Sequence, residues 1–173
     1  MVENPSLQTA DTLTIQRFPL RFNVGYFHNL PVGSYRDIHF EFPEIHLPPD
    51  LDLKQFSGLV HISRTPQGLL FEGKFETIAP SECVRCLEPF DLPLTTEFDE
   101  VYAYNSGSFT ESGLYVPEDG NIDLSPVVRE YLLVESPIKP ICKPDCQGLC
   151  IECGENLNLS TCEHQARITL DNT

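Results

Sequence analysis

The sequence predicts an α+β protein. A mostly antiparallel β domain, barrel-like or an open sheet, carries one main helix and a cysteine-rich C-terminal tail. Apolar and polar residues alternate in short runs up to about residue 104, the period of a strand with one wet face. Fifteen prolines and ten glycines cut the chain into short elements and turns. Five of the seven cysteines fall after residue 141.

Residues 1–12 are polar and read as a loose tail, and the β-rich domain is expected over 13–137. From Leu13 to Phe22 the apolar residues come in strand-like patches, with Phe18, Leu20 and Phe22 on one parity. "DIHFEF" (37–42) alternates Ile38, Phe40 and Phe42, and "PEIHLPPD" is expected to stop it. The strongest signal is a hairpin, "FSGLVHISR" (56–64), the turn "TPQG" (65–68) and "LLFEGKFETI" (69–78). Pro66 presets φ in that turn, and Gly68 is expected to supply a positive φ. Leu69, Phe71 and Phe75 should face inward, with Glu72, Lys74 and Glu76 outward. "TEFDEVYAY" (96–104) repeats the pattern, with Glu100 the odd member on the side of Phe98, Tyr102 and Tyr104. Residues 105–122 read as an acidic loop rich in Gly and Ser. A helix is predicted over 124–134, with Asp123 as N-cap, Pro126 in the first turn and Pro137 ending it. A cysteine-rich segment over 138–168, packed on the β domain, and a tail over 169–173 complete the chain.

The formal charge of −15 comes from 26 acidic and 11 basic residues. It opposes any mode of nucleic-acid binding that works by neutralising phosphates. No run approaches the roughly 18 apolar residues of a membrane span, and the start has no signal-peptide pattern. The expectation is a cytoplasmic protein with no membrane contact. In a reducing compartment its clustered cysteines are metal ligands rather than disulfides. P-loop, GxSxG, HExxH and GxGxxG motifs are absent, and no small-molecule substrate is expected.

"CVRC" (83–86) and "CIEC" (150–153) each offer two thiolates to one metal ion. Gly154 lets the second turn close, whereas the first has Leu87 in that place. Seven cysteines and His164 make eight donors, enough for two tetrahedra. One partition puts Cys83, Cys86, Cys142 and Cys146 on one ion and Cys150, Cys153, Cys162 and His164 on a second. A rival uses one ion, with Cys83 and Cys86 joined to Cys150 and Cys153. A third gathers Cys142, Cys146, Cys150 and Cys153 in one loop. The intervening chain is no obstacle, since closing a long loop adds little entropic cost. The expected cofactor is structural zinc, one or two ions; iron could use the same thiolates. A redox role would want the first CxxC at a helix N-terminus, and "CLEPFDLPL" does not read as a helix. His28, His39, His46 and His61 are scattered among strands and loops. Arg17, Arg21, Arg36 and Arg85 read as ordinary surface arginines, with a small basic patch as the alternative.

"CVRCLEPF" (83–90), "IDLSPVVREYLLVESPIKPIC" (122–142) and "CKPDCQGLCIECGENLN" (142–158) together resemble the YceD family of large ribosomal RNA subunit accumulation proteins. The resemblance spans roughly residues 50–165, and the first 50 residues match only loosely. It implies a non-enzymatic factor in synthesis, processing or stability of large-subunit (23S) ribosomal RNA, with bacterial and plastid relatives. Some relatives lack most C-terminal cysteines yet keep the first CxxC, which favours the two-ion partition. The runner-up is a metal- or thiol-dependent enzyme acting on RNA or on redox partners. The expected partners are ribosome-assembly components or a basic protein, with RNA contact indirect or weak. Glu97, Asp99, Glu111, Glu118 and Asp119 are the candidate acidic face for that contact, unless they serve only solubility.

Overall fold

The computed structural model describes residues 19–104 and 112–164. β1 (Arg21–Asn23) leads through a 3-10 turn, Gly25–Asn29, to β2 (Tyr35–Leu47), β3 (Leu51–Arg64), β4 (Gly68–Glu82) and β5 (Pro89–Ala103). β6 (Asn121–Asp123) and α1 (Ser125–Glu135) follow. β2 to β5 form an antiparallel four-stranded meander in chain order, and β1 pairs with β6 in a separate ribbon. Among the described residues β2 and β5 do not pair with each other. The sheet is therefore open, and no closed barrel is formed.

One face of the sheet holds the core. Phe56 of β3 stacks on Phe75 of β4 at 4.9 Å, and Phe75 on Phe98 of β5 at 6.1 Å. Phe98 then meets Tyr131 of α1 at 5.5 Å. This aromatic row crosses three strands and seats the helix on β5. Leu69, Phe71 and Phe75 are fully buried while Glu72, Lys74 and Glu76 are exposed, the alternation that the sequence predicts. Glu100 lies on the inner face because the Tyr131 hydroxyl donates to its carboxylate at 3.0 Å. The β1–β6 ribbon closes the same side, with Phe22 against Phe40 and Phe71.

Several boundaries differ from expectation. β2 does not stop at Pro43 but runs on to Leu47. It is an edge strand, where the missing N–H of proline is tolerated. Gln55, opposite Pro43, takes φ 49° beside a register shift between β3 and β4, the mark of a bulge. Gly68 is not among the glycines with positive φ. It is small for another reason: a Cβ there would lie 2.1 Å from the Tyr102 carbonyl oxygen. β6 falls inside the segment expected to be loop. α1 starts one residue late, with the buried Leu124 as N-cap. Asp123 still serves the helix start, its Oδ1 accepting the Ser125 N–H at 2.9 Å. Of the Leu13–Phe22 patch only the end is described: Leu20 is buried and Arg21 opens the short β1.

The acidic residues proposed as one face are divided. Glu97 and Asp99 are on the wet side of the sheet, in register with Lys74 and Glu72. Asp119 belongs to the turn before β6, bound to Asn121 and Arg21 on the ribbon, and Glu118 precedes it. Glu111 lies outside the described residues. Of the arginines offered as a basic patch, Arg36 and Arg85 lie apart. Arg36 faces Ile62 near the start of the hairpin, with its guanidinium over Tyr26. Arg85 lies past the far end of β4, and Arg17 is outside the described residues. Among the described residues no helix is long and apolar enough to cross a membrane.

Candidate metal centres

β4 and β5 continue past the last β3 partner, where Lys54 faces Ile78, to a final pair of Glu82 with Pro89. Cys83–Glu88 make the turn at that tip. The Cys83 N–H donates to the Glu88 carbonyl at 3.0 Å, and the Leu87 N–H to the Cys83 carbonyl at 2.8 Å. Cys150–Glu155 repeat the geometry. The Cys150 N–H donates to the Glu155 carbonyl and the Gly154 N–H to the Cys150 carbonyl, both at 2.8 Å. A bridge between Leu149 and Asn156 closes the second turn as Glu82–Pro89 closes the first. Gly154 has φ +75° and Leu87 φ +59°. Both turns therefore need a left-handed residue after the second cysteine, and the first obtains it from leucine at a cost in strain.

The tail folds onto the first turn through hydrogen bonds that include three to its backbone or to Arg85. The Val84 N–H donates to the Pro140 carbonyl at 3.0 Å, and the Leu149 N–H to the Arg85 carbonyl at 3.0 Å. The Arg85 guanidinium donates to the Cys146 carbonyl at 3.1 Å. Arg85 thus secures the tail.

These contacts gather the eight predicted donors into two groups, Cys83, Cys86, Cys142 and Cys146, and Cys150, Cys153, Cys162 and His164. Within each, all donor atoms lie within 4.8 Å of one another. The single-ribbon and one-loop groupings do not occur. In the first group Cys83 and Cys146 Sγ are 3.8 Å apart and Cys86 and Cys142 Sγ 3.7 Å. A disulfide would need about 2.0 Å. Four thiolates about 2.3 Å from a tetrahedral zinc would be separated by about 3.8 Å, so the cage has the size such an ion requires. In the second group Cys150 Sγ is 4.0 Å from His164 Nδ1, slightly wider than the roughly 3.6 Å of a zinc-bound sulfur–nitrogen pair. Cys83, Cys86 and Cys146 are buried, whereas Cys153 is exposed and Cys162 and His164 half-buried.

The electrostatics prepare the thiolates. Burial raises the Cys83 thiol, but backbone N–H groups of Cys142, Cys86 and Arg85 outweigh it and bring its pKa from 9.0 to about 6. N–H groups of Cys153 and Glu152 lower Cys150 to about 6 against its burial. Cys142 is pushed up to about 12 by burial and by hydrogen bonding among the neighbouring sulfurs. Burial raises Cys146, and the Asn158 amide and Gly148 N–H more than offset it.

Sequence reasoning missed Asn158 and the conformation of Leu87. The other histidines are elsewhere: His61 Nδ1 is 2.6 Å from Asp37, His46 Nδ1 2.7 Å from Asp52, and His28 meets the Tyr104 ring. Among the described residues neither metal group includes His39. A surface groove between the Pro48–Pro49 turn and α1 shares no residue with either group.

The family model of the large ribosomal RNA subunit accumulation protein YceD matches residues 71–172, a span that covers both metal groups. An uncharacterised protein of Mycobacterium bovis is 32% identical over 111 residues, 61% of this chain and 49% of that protein. A maize protein named large ribosomal RNA subunit accumulation protein YCED homolog 1, chloroplastic, is 29% identical over 133 residues, 59% of this chain and 45% of that protein. Its Arabidopsis thaliana namesake is 39% identical over 49 residues, 28% of this chain and 15% of that protein. The chain spans about half the length, or less, of these curated relatives. No solved structure matches. With the family's model covering more than half of its length, the chain belongs to the YceD family of large ribosomal RNA subunit accumulation proteins.

Proposed function

We propose that this protein supports synthesis, processing or stability of 23S ribosomal RNA in the cytoplasm as a non-enzymatic assembly factor held together by two structural zinc ions. The observation that carries the reading is the pairing of four donors with four donors. Structural zinc takes four protein ligands, whereas catalytic zinc keeps a position open for water. Cys83, Cys86, Cys142 and Cys146 would hold the first ion, and Cys150, Cys153, Cys162 and His164 the second. Thiolate-rich, tetrahedral sets of this size suit zinc better than the hard cations, which prefer oxygen. Iron is the competitor that shares the donor chemistry. When bound, the ion supplies cross-linking. The chain's own part is to offer prepared thiolates on two matching turns.

The family name supports the ribosomal reading. The net charge of −15 favours a route through a basic protein partner, such as a ribosome-assembly component, over direct RNA contact. On the wet face of the sheet Glu97 and Asp99 stand in register with Lys74 and Glu72, and this face is the proposed contact.

Depletion of the protein in its own cells tests the function. The 23S RNA should fall relative to 16S and return with the wild-type gene; an unchanged ratio overturns the ribosomal role. X-ray absorption on purified protein tests the metal separately. Zinc with only sulfur and nitrogen neighbours is expected, and a bound water at either ion would revive an enzymatic reading.

A further inference from the structure

The run "GENLN" (154–158) leaves the second turn and heads back toward the first metal group. Asn156 pairs with Leu149 at the base of the second turn, and its amide donates to the Glu88 carboxylate of the first turn at 3.2 Å. Two residues on, Asn158 Nδ2 lies 3.4 Å from Cys146 Sγ and donates to it. The same Nδ2 donates to Asn156 Oδ1 at 2.9 Å, and the Asn158 N–H to that oxygen at 3.1 Å. Asn158 Oδ1 accepts the Gln147 N–H at 2.9 Å, next to Cys146 in the chain. Asn158 is therefore clamped on both sides, with one amide proton aimed at a sulfur.

Such a donor matters for a cage of thiolates. Four sulfurs around one divalent ion carry surplus negative charge, and N–H donors disperse it. They also fix the direction in which each sulfur presents its lone pair. Backbone N–H groups supply this at the two turns. Cys146 sits outside either turn, in the tail, and receives a side-chain amide in addition to the Gly148 N–H.

We infer that Asn158 is a positioning residue for the four-cysteine metal site, presented to Cys146 by the base of the second turn. The inference rests on the proposal that this group binds a metal ion. The second turn thus helps build the first site.

The probe is Co²⁺ alone, added to the full chain. A site of four thiolates and a site of three thiolates with one imidazole differ in their visible bands, so both are followed in one sample. Zinc affinity follows from competition with a chromophoric chelator. Asn158→Asp keeps the Oδ acceptor for Gln147 but removes the donor and adds charge. Asn158→Ala removes the donor without charge. Both should weaken the four-cysteine site by about 10–100-fold, the usual consequence of losing such a partner. Both should also shift its sulfur-to-cobalt charge-transfer band, with the imidazole-containing site retained. Wild-type affinity and an unshifted band in both variants would overturn the inference while leaving the metal sites standing. Loss of both sites together would also overturn it, since Asn158 would then merely hold the loop. A wild-type chain that takes up no cobalt and no zinc would overturn the metal reading itself, and this inference with it.

Discussion

Leu87 occupies the backbone position that Gly154 fills in the matching turn, at φ +59° against +75°. A left-handed conformation costs a residue with a Cβ about 1–2 kcal/mol. Leu87 is 55% exposed, so little burial offsets that strain. Leu87→Gly should leave the metal-loaded protein within about 1 kcal/mol of wild type or above it, and Leu87→Val should fall below both, being β-branched. Thermal melts of the three proteins check the order. The thiols give a second prediction at this scale. Cys83 has its pKa lowered in the folded state to about 6, so its contribution to the metal-free fold is complete above the ordinary thiol value near 9. It is lost as pH falls through about 6. Cys142, pushed up to about 12, remains protonated near neutrality until a metal displaces the proton. Zinc uptake near neutral pH should therefore release protons, and zinc affinity should drop steeply as the solution is acidified. Titration in weak buffer with a pH indicator measures the first, and chelator competition the second. The eight donors were legible because few residue types can hold a soft metal and their spacing is restricted. Asn158 was not, since an amide that reaches a sulfur leaves no pattern in the chain. Leu87 was half legible: the missing glycine was visible, the strained leucine was not.

The β4–β5 hairpin and the tail meet around the first metal group, and this decides how cysteine substitutions differ. Cys83→Ser opens a buried site at the hairpin tip and frees the tail, whereas Cys162→Ser affects a half-buried donor near the tail's end. Structural zinc contributes many kcal/mol to small sites. Cys83→Ser should therefore lower the melting temperature markedly and Cys162→Ser only slightly; equal melting of Cys83→Ser and wild type would contradict this. The hairpin was legible from its alternation and its turn, as was the helix from its cap and prolines. The extent of the strands was not. Pro43 reads as a stop, yet an edge strand has no partner for the missing N–H to disappoint. Pro80 likewise sits within β4, facing Asp91 beyond the last residue of β4 that β3 pairs. β6 was invisible because three residues become a strand only through β1, far away in sequence.

Across the whole molecule, charge sets what it can touch. With 26 acidic and 11 basic residues the molecule as a whole repels the phosphates that such binding neutralises, and Arg36 and Arg85 lie at opposite ends of the sheet. Unrelated RNAs should bind weakly or not at all at physiological salt. Submicromolar filter binding with a steep salt slope would show that a partner is unnecessary. The net acidity was legible here from composition alone. The proposed acidic face was not legible, because its described residues are split between the sheet and the β1–β6 ribbon, whose stacking the sequence does not announce. The closure between Cys83 and Cys146 also has a mechanical meaning. An ion held at the proposed four-cysteine site would tie Cys83 to Cys146 and keep the 63-residue separation between them from extending once the rest of the domain unfolds under tension. With the ion stripped by a chelator, complete unfolding under tension should release about 210 Å more contour length than in the ion-loaded protein, a difference that a single-molecule trace would register as the signature of an intact clasp.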